Sequence, residues 1–221
     1  MSSHKIGVMV EHFPLVVVVG SGGHANDIVA ALLDSDTVRV VGFAGDRPPS
    51  SPASGRLGVS YLGPIEDVGS RAGFALVAVG DPHIRRELAS RAAAAGLAAM
   101  TFVHPRAHVG AGVELGEGCV LLAQSCISST ASLGVQVHVN VGASISHDSV
   151  LGDYVTVNPG ARVSGSTVLG VDVTVGAGAV LRDGITVGRG SFIGAGSVVT
   201  VNLPEGVVAY GVPARIRRYL E

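Results

Sequence analysis

Residues 133–169 of the 221-residue chain read LGVQVHVNVGASISHDSVLGDYVTVNPGARVSGSTVL. An aliphatic residue returns at every sixth position of this stretch, and the same spacing continues in both directions from Val103 to Val199. The fourth residue after each aliphatic is nearly always small, and the residue directly after it is often Gly or Asn. The seventeen aliphatic positions are Val103, Val109, Leu115, Leu121, Ile127, Leu133, Val139, Ile145, Leu151, Val157, Val163, Leu169, Val175, Leu181, Val187, Ile193 and Val199.

A step of six residues predicts a parallel β-helix, because amphipathic helices and coiled coils have apolar periods of about 3.6 and 3.5 residues. Each unit would form one short strand and one corner, and three units would complete one coil of a triangular prism. A coil cannot bury its own apolar face, so successive coils stack and share a continuous core. The Gly and Asn residues after the aliphatics are expected at corners that need a positive φ. The alternative is an ordinary β-sandwich with glycine-rich turns.

The first hundred residues follow a different pattern, in which apolar strands alternate with helices. Leu15 to Val19 is a continuous apolar run, as in a parallel strand that is buried on both faces. Alternation of this kind predicts a small Rossmann-like α/β domain. The predicted elements are strands at 15–19, 38–43 and 74–79 and helices at 24–33 and 82–95. The predicted segments are a flexible extension (1–14), the α/β domain (15–102), the β-helix domain (103–204) and a tail with a short helix after Pro213 (205–221).

A glycine-rich turn follows the first predicted strand. Residues 20–25 read GSGGHA, which fits G-x-G-x-x-[GA] at the start of a helix. Its glycines would let the backbone approach a phosphate, and the helix N-terminus would supply free N–H groups. The domain offers only about half of the doubly wound sheet that a dinucleotide spans, and Asp46 comes late for a ribose-binding acid. A mononucleotide-sized phosphate ligand therefore fits better than NAD, and a tight turn without ligand is the alternative.

Within the repeat, the polar exceptions cluster around His147. By the period, His147 lies two places after inward-facing Ile145, beside a corner and pointing outward. A histidine there could take a proton from an amine or hydroxyl, and Asp148 could orient its ring. The next coil places Gly165 over His147, where its N–H could stabilise an oxyanion. Without further context, an outward histidine is more often an ordinary surface residue. His138, near another corner, is expected at a subunit interface or in solvent.

Composition narrows the classes of function. The net charge of −2 argues against a general nucleic-acid or membrane-surface binder. No apolar run reaches the ~18 residues of a membrane span, and no signal peptide is evident. The two cysteines lack metal-ligand spacing, so we expect no metal and a reduced, cytoplasmic protein.

Four motifs occur in an order that resembles one family. They are Gly20–His24, Val79–Asp81 with Ile84–Arg86, Ser146–Asp153 and Gly211–Arg215. The chain resembles the hexapeptide-repeat sugar O-/N-acyltransferases of the sialic-acid O-acetyltransferase type, which include bacterial N-acetyltransferases that act on UDP-4-amino sugars of the bacillosamine pathway and on GDP-perosamine. The resemblance implies left-handed winding of the β-helix and a homotrimer with acetyl-CoA between neighbouring β-helices.

The resemblance also implies roles for individual residues. His147 would be the general base and Asp148 its acidic partner. Many relatives carry a histidine near the acyl donor where this chain has Thr156. The residues implied to bind acetyl-CoA are Asn140, Thr156, Gly165, Ala177 and Ala195. Those implied to bind the nucleotide sugar are Gly22, Gly23, His24, Asp46 and Gly80.

The leading hypothesis is acetyl-CoA-dependent N-acetylation of a nucleotide-linked amino sugar, by direct attack of the amine on the thioester. A second hypothesis is O-acetylation of a sugar or sialic acid. A third is a non-catalytic, nucleotide-sugar-binding trimer that uses the β-helix only for assembly.

Overall fold

The computed structural model describes residues 13–49 and 55–220. Residues 1–12 of the predicted extension lie outside this range, whereas Phe13 and Pro14 lead directly into the first strand. The elements of the N-terminal domain are β1 (Leu15–Val19), α1 (Gly23–Ser35), β2 (Arg39–Ala44), a 3-10 turn (Ile65–Asp67), β3 (Phe74–Val77), α2 (Pro82–Ala94) and β4 (Ala98–Ala99).

The N-terminal domain is a four-stranded parallel sheet in the order β2-β1-β3-β4. Alternate residues of β1 face opposite sides, because side chains alternate along a strand. Val16 and Val18 pack beneath α1, and Val17 and Val19 pack beneath α2 with Leu88. This two-sided burial explains the unbroken apolar run and confirms the predicted α/β domain.

The rest of the chain is a β-solenoid of two-residue strands. They form three parallel sheets of six, six and five strands, in which each strand pairs with those three positions before and after it along the chain, and a C-terminal hairpin brings the sheet that begins with β5 to eight strands. The strands are β5 (Phe102–Val103), β6 (His108–Val109), β7 (Glu114–Leu115), β8 (Val120–Leu121), β9 (Cys126–Ile127), β10 (Ser132–Leu133), β11 (His138–Val139), β12 (Ser144–Ile145), β13 (Val150–Leu151), β14 (Thr156–Val157), β15 (Arg162–Val163), β16 (Val168–Leu169), β17 (Thr174–Val175), β18 (Val180–Leu181), β19 (Thr186–Val187), β20 (Phe192–Ile193) and β21 (Val198–Val199).

The repeated aliphatics form the core of this solenoid, as the period predicts. Every aliphatic of the series from Leu121 to Val199 is at most 2% exposed. Val103 and Val109 are instead 39% and 37% exposed, because they belong to the first coil and no earlier coil covers them. The left-handed winding stays a prediction from the family resemblance.

The glycines that follow the aliphatics have a different cause from the predicted one. The left-handed backbone angles fall three residues after the aliphatic, for example at Gly142 (φ 67°) and Asp148 (φ 58°). At Gly152, directly after an aliphatic, a Cβ atom would lie 2.7 Å from the amide nitrogen of Val171 in the next coil. Glycine is required there by the close approach of stacked coils, and the prediction of positive φ at those positions was wrong.

The N-terminal domain lies on the eight-stranded sheet of the solenoid. Phe102, Val120 and Leu122 face outward from this sheet and pack with Val16 and the apolar side of α1. Arg85 of α2 is fully buried at the same junction. The domain therefore covers one face of the prism.

The predicted C-terminal helix is wrong. The chain instead forms a hairpin of β22 (Val207–Gly211) and β23 (Ala214–Tyr219), which adds the last two strands of the eight-stranded sheet beyond β20. Pro213 resembles the first residue of a helix in sequence but lies in the turn between these strands. The open edge of the last coil offers backbone hydrogen bonds, and this tertiary pairing overrides the local signal.

Candidate active site

His147 lies on a prism edge between the six-stranded and five-stranded sheets. We call this the His147 edge, and its successive coils contribute Ser129, His147, Gly165 and Asp183. The side chain of His147 is 62% exposed. An ideal Cβ atom on Gly165 would lie 2.7 Å from both Cε1 and Nε2 of His147, so the imidazole rests directly against this glycine. The predicted stacking of Gly165 on His147 is confirmed.

Asp148 holds the His147 ring from one side. His147 Nδ1 lies 2.8 Å from Asp148 Oδ2, and the Thr130 hydroxyl donates to Asp148 Oδ1 at 2.7 Å. The hydrogen bond from His147, followed by that from Thr130, keeps the pKa of Asp148 below its usual value. A carboxylate at Nδ1 favours the tautomer with hydrogen on Nδ1, which leaves Nε2 unprotonated and able to accept a proton.

Gly165 also offers a hydrogen-bond donor at this edge. The neighbouring amides are engaged, since Ser164 N–H donates to the Leu181 carbonyl and Ser166 N–H to that of His147. Among the described residues, no group accepts from the Gly165 N–H. An imidazole nitrogen able to accept a proton and a free backbone donor therefore lie together, an arrangement that suits acyl transfer.

The glycine-rich turn forms a cleft at the carboxyl end of β1. The cleft has a volume of about 400 Å³ and is lined by Gly20, Ser21, Gly45 and Asp46 with apolar side chains of α2. A Cβ atom on Gly22 or Gly23 would meet no atom within 4 Å, and Gly22 has an ordinary φ of −87°. The fold itself does not demand these two glycines. Their smallness keeps open space before the uncapped N-terminus of α1, which suits an anionic ligand.

Asp46 and Gly80 lie close to this cleft but have partners of their own. Arg91 donates to both oxygens of Asp46, at 2.6 and 3.1 Å, and this hydrogen bonding lowers the pKa of the carboxyl group. A carboxylate can accept further bonds, so Asp46 remains able to bind a ligand hydroxyl. The Gly80 carbonyl accepts from Arg85 at 3.1 Å and from the Thr156 hydroxyl at 2.8 Å.

His24 and His138 meet beneath the N-terminal domain. His24 Nε2 lies 3.2 Å from His138 Nδ1, and His138 is only 1% exposed. The prediction that His138 lies at a subunit interface or in solvent was wrong, because the N-terminal domain covers its face of the prism. Burial, followed by the charge of Arg85, lowers the pKa of both rings.

The residues implied to bind acetyl-CoA do not lie together in one chain. Ala177 and Ala195 are exposed and stacked on each other, but on a second edge, between the eight- and six-stranded sheets. We call this the Ala177 edge. Thr156 is buried under the N-terminal domain, and its hydroxyl is engaged with Gly80 and Arg85. The Asn140 amide donates to the Val157 carbonyl at 3.0 Å.

The prism also separates His147 from the glycine-rich turn around Gly22 and Gly23, which we call the cradle. The N-terminal domain covers the eight-stranded sheet, whereas the His147 edge joins the other two sheets and is opposite that face. A ligand held at Gly22 and Gly23 is therefore on the far side of the prism from His147 of the same chain.

Two polar residues at these sites were given no role by the sequence analysis. Thr130 lies one coil before Asp148 and supports it, a relation that the 18-residue spacing could have indicated. Arg85 donates to the carbonyls of Val79, Gly80, Gln136 and Tyr154 across the domain junction, and nothing in the local sequence marks it as buried.

No group of three potential metal ligands occurs among residues 13–49 and 55–220. In the same ranges, no helix is long and apolar enough to cross a membrane.

Comparison with known proteins agrees with this architecture. The family model for the PglD N-terminal domain matches residues 15–92, and that for the bacterial transferase hexapeptide, with six repeats, matches residues 166–200. A search of curated proteins gave no significant match.

Several solved structures are similar over almost the whole chain. The acetyltransferase domain of PglB from Neisseria gonorrhoeae, in complex with acetyl coenzyme A, is 31% identical over 93% of this chain and 100% of its own, with a TM-score of 0.85. PerB from Caulobacter crescentus, in complex with CoA and GDP-perosamine, is 31% identical over 98% of this chain and 100% of its own, with a TM-score of 0.84. WeeI from Acinetobacter baumannii is 26% identical over 92% of this chain and 99% of its own, with a TM-score of 0.82. The chain therefore belongs to the hexapeptide-repeat sugar acyltransferases that carry a PglD-type N-terminal domain.

Proposed function

We propose that the protein transfers an acetyl group from acetyl-CoA to the amine of a nucleotide-linked amino sugar. The observation that carries this proposal is the His147–Asp148 pair resting on Gly165 at an exposed edge, where His147 Nε2 and the Gly165 N–H have no partner in the described part of the chain. The similar PglB domain binds acetyl coenzyme A, and PerB binds CoA with GDP-perosamine. Asparagine and alanine variants of one histidine were made in the perosamine N-acetyltransferase.

The geometry supports a direct transfer. The neutral amine attacks the thioester carbonyl, and His147 Nε2 removes its proton as the new C–N bond forms. The carbonyl oxygen becomes an oxyanion that accepts a hydrogen bond from the Gly165 N–H. When the C–S bond breaks, the CoA thiolate takes the proton from His147 and leaves as the thiol. Asp148 holds the ring and stabilises its cationic form.

We propose that the working enzyme is a homotrimer. One chain places its cradle and its His147 on opposite sides of the prism, so a complete site needs two copies. Val150 and Val168, neighbours on the five-stranded sheet next to the His147 edge, are 47% and 41% exposed and would be covered by a copy. Cyclic closure would then bring the cradle of one chain to the His147 edge of the next.

The remaining binding roles follow from this arrangement. Acetyl-CoA lies in the groove between copies, with Gly165 at the thioester and Ala177 and Ala195 of the facing edge along the pantetheine. The nucleotide sugar occupies the cleft at the carboxyl end of β1, with its phosphates toward Gly22 and Gly23 at the N-terminus of α1. His24, Asp46 and Gly80 complete this subsite. At the acetyl-CoA subsite, Asn140 contributes the oxygen of its side-chain amide, whose nitrogen donates to Val157, and the contact that Thr156 would make is lost because its hydroxyl is already engaged.

A cytoplasmic location is part of the same proposal. The two cysteines are free, as expected in a reducing compartment. Acetyl-CoA and nucleotide sugars are also charged, water-soluble substrates.

The test is an acetyl-transfer assay with acetyl-CoA and a panel of UDP-, GDP- and dTDP-linked amino sugars, read by mass spectrometry. We expect turnover of at least one nucleotide-linked amine and none of the matching nucleotide-linked alcohol. Acetylation of free sialic acid without any nucleotide would show an O-acetyltransferase instead. Binding of a nucleotide without binding of CoA would show a non-catalytic trimer.

A further inference from the structure

At the domain junction, buried His138 contacts half-buried His24, and the transfer described above gives His138 no role. His138 projects from β11 toward the N-terminal domain, and His24 is the second residue of α1. Their rings are 5.4 Å apart between centroids, and the contact joins His24 Nε2 to His138 Nδ1. His24 follows Gly22 and Gly23 directly, so this pair links the solenoid to the cradle for the nucleotide sugar.

The hydrogen bond between the two rings needs one nitrogen that carries hydrogen, as the donor, and one that does not, as the acceptor. Burial and the positive charge of Arg85 both disfavour a protonated ring, so both histidines are neutral. A neutral imidazole carries hydrogen on only one of its two nitrogens. Two arrangements are therefore possible, in which either His138 or His24 is the donor.

The second nitrogen of His138 distinguishes these arrangements. His138 Nε2 is buried and has no hydrogen-bond partner among the described residues. A buried N–H without an acceptor is rarer in proteins than a buried acceptor without a donor. Hydrogen on Nδ1 of His138 leaves Nε2 as an acceptor without a donor, which is the less rare arrangement, and His138 then donates to His24 Nε2.

We propose that His138 is a positioning residue that fixes His24 in the tautomer with hydrogen on Nδ1, so that His24 presents an N–H donor to the nucleotide sugar. The accepting nitrogen of His24, Nε2, is the one bonded to His138 on the buried side. Its Nδ1 has no partner among the described residues, and the ring is half-buried in the first turn of α1, directly after Gly22 and Gly23. The matching ligand group is an acceptor, namely a phosphate or carbonyl oxygen. This inference rests on the proposed function.

The tautomer can be observed without any substrate. In the wild-type protein labelled with ¹⁵N-histidine, nitrogen chemical shifts distinguish protonated from bare ring nitrogens, and the His24→Gln variant assigns the His24 signals. We expect His24 to carry its hydrogen on Nδ1 and His138 on Nδ1. Hydrogen on Nε2 of His24 would overturn the proposal. This result stands even if no sugar in the panel is turned over, so the two failures are distinguishable.

Variants at position 138 give the functional readout. His138→Asn keeps an amide where Nδ1 lies and should stay within about twofold of wild type, whereas His138→Leu removes the donor and should raise the KM of the nucleotide sugar roughly tenfold. His138→Gln, with its amide at the level of Nε2, should resemble His138→Leu. We expect kcat and the KM of acetyl-CoA to stay unchanged in all three. Equal nucleotide-sugar KM values for the Leu and Asn variants would contradict the proposal.

Discussion

His138 and His147 are nine residues apart on the same solenoid, and both point away from its core, yet their surroundings are opposite. His138 lies on the eight-stranded face, is 1% exposed and bonds to the N-terminal domain. The side chain of His147 lies on the opposite edge and is 62% exposed. The repeat determines which residues face outward, but the attached domain determines which of them stay accessible. The covered eight-stranded face therefore serves docking, and we propose that the His147 edge, the bare edge of the prism, serves the chemistry.

The largest expected effect separates these two regions directly. His147→Ala removes the proposed base, so kcat should fall by about 10²- to 10⁴-fold while both KM values change little. His108 is a matched control, because it is an exposed outward histidine on the six-stranded sheet. Steady-state kinetics of the two alanine variants make the comparison. Activity of His147→Ala near that of His108→Ala would remove His147 from this role.

On the covered face, Arg85 should control docking of the N-terminal domain. Arg85→Met leaves the carbonyls of Val79, Gln136 and Tyr154 without their donor and that of Gly80 with Thr156 alone, and should cost about 3–5 kcal/mol of local stability. Hydrogen exchange of α2 measures this loss. Arg162→Met, at an exposed arginine of the solenoid, should cost less than about 0.5 kcal/mol. Equal protection of α2 in both variants would contradict this account.

Gly165→Ala tests the fit between coils at the bare edge. The new Cβ atom would lie 2.7 Å from the His147 ring and must displace it, so kcat should fall roughly 10- to 100-fold. The same substitution in a His147→Ala background should change kcat by less than about twofold, since the ring is already gone. Additive losses in the double variant would show that Gly165 acts independently of His147.

The smallest expected effect is the contribution of Asp148 to the stability of the fold and its loss at low pH. The lowered pKa of this carboxyl group means that its ionised form stabilises the fold. This contribution is complete above the ordinary value of 3.8 and is lost as the pH falls through the lower, folded value. The Tm difference between wild type and Asp148→Asn should therefore be small but present at pH 6 and vanish in strong acid. A Tm difference between the two proteins that grows as the pH falls below 4 would contradict this direction.

The repeat makes the bare edge predictable from sequence. Stacked coils are related by a nearly constant translation, so a spacing of 18 residues places Gly165 on His147 without knowledge of any other part of the fold. The strands and helices of the N-terminal domain could also be predicted, because their apolar runs and the glycine-rich turn are local signals.

The covered face could not be predicted in the same way. The burial of His138 and Arg85 depends on where an independent domain docks, and no local pattern encodes that contact. The C-terminal hairpin depends on the open edge of the last coil, which pairs with Val207–Gly211. The glycines after the aliphatics were recognised, but their cause lies in the neighbouring coil rather than in their own φ.

The central claim is that the cradle of one chain works with the His147 edge of another, and mixed trimers test it most directly. Gly22→Asp places a negative charge where the phosphate would bind, yet it fits open space and supplies a good N-cap for α1. Co-expression of this variant with His147→Ala combines two inactive chains. If each site joins two chains, about a quarter of the sites in random trimers combine an intact cradle with an intact His147, and activity should return to about that fraction. Mixed trimers as inactive as either parent would contradict the account.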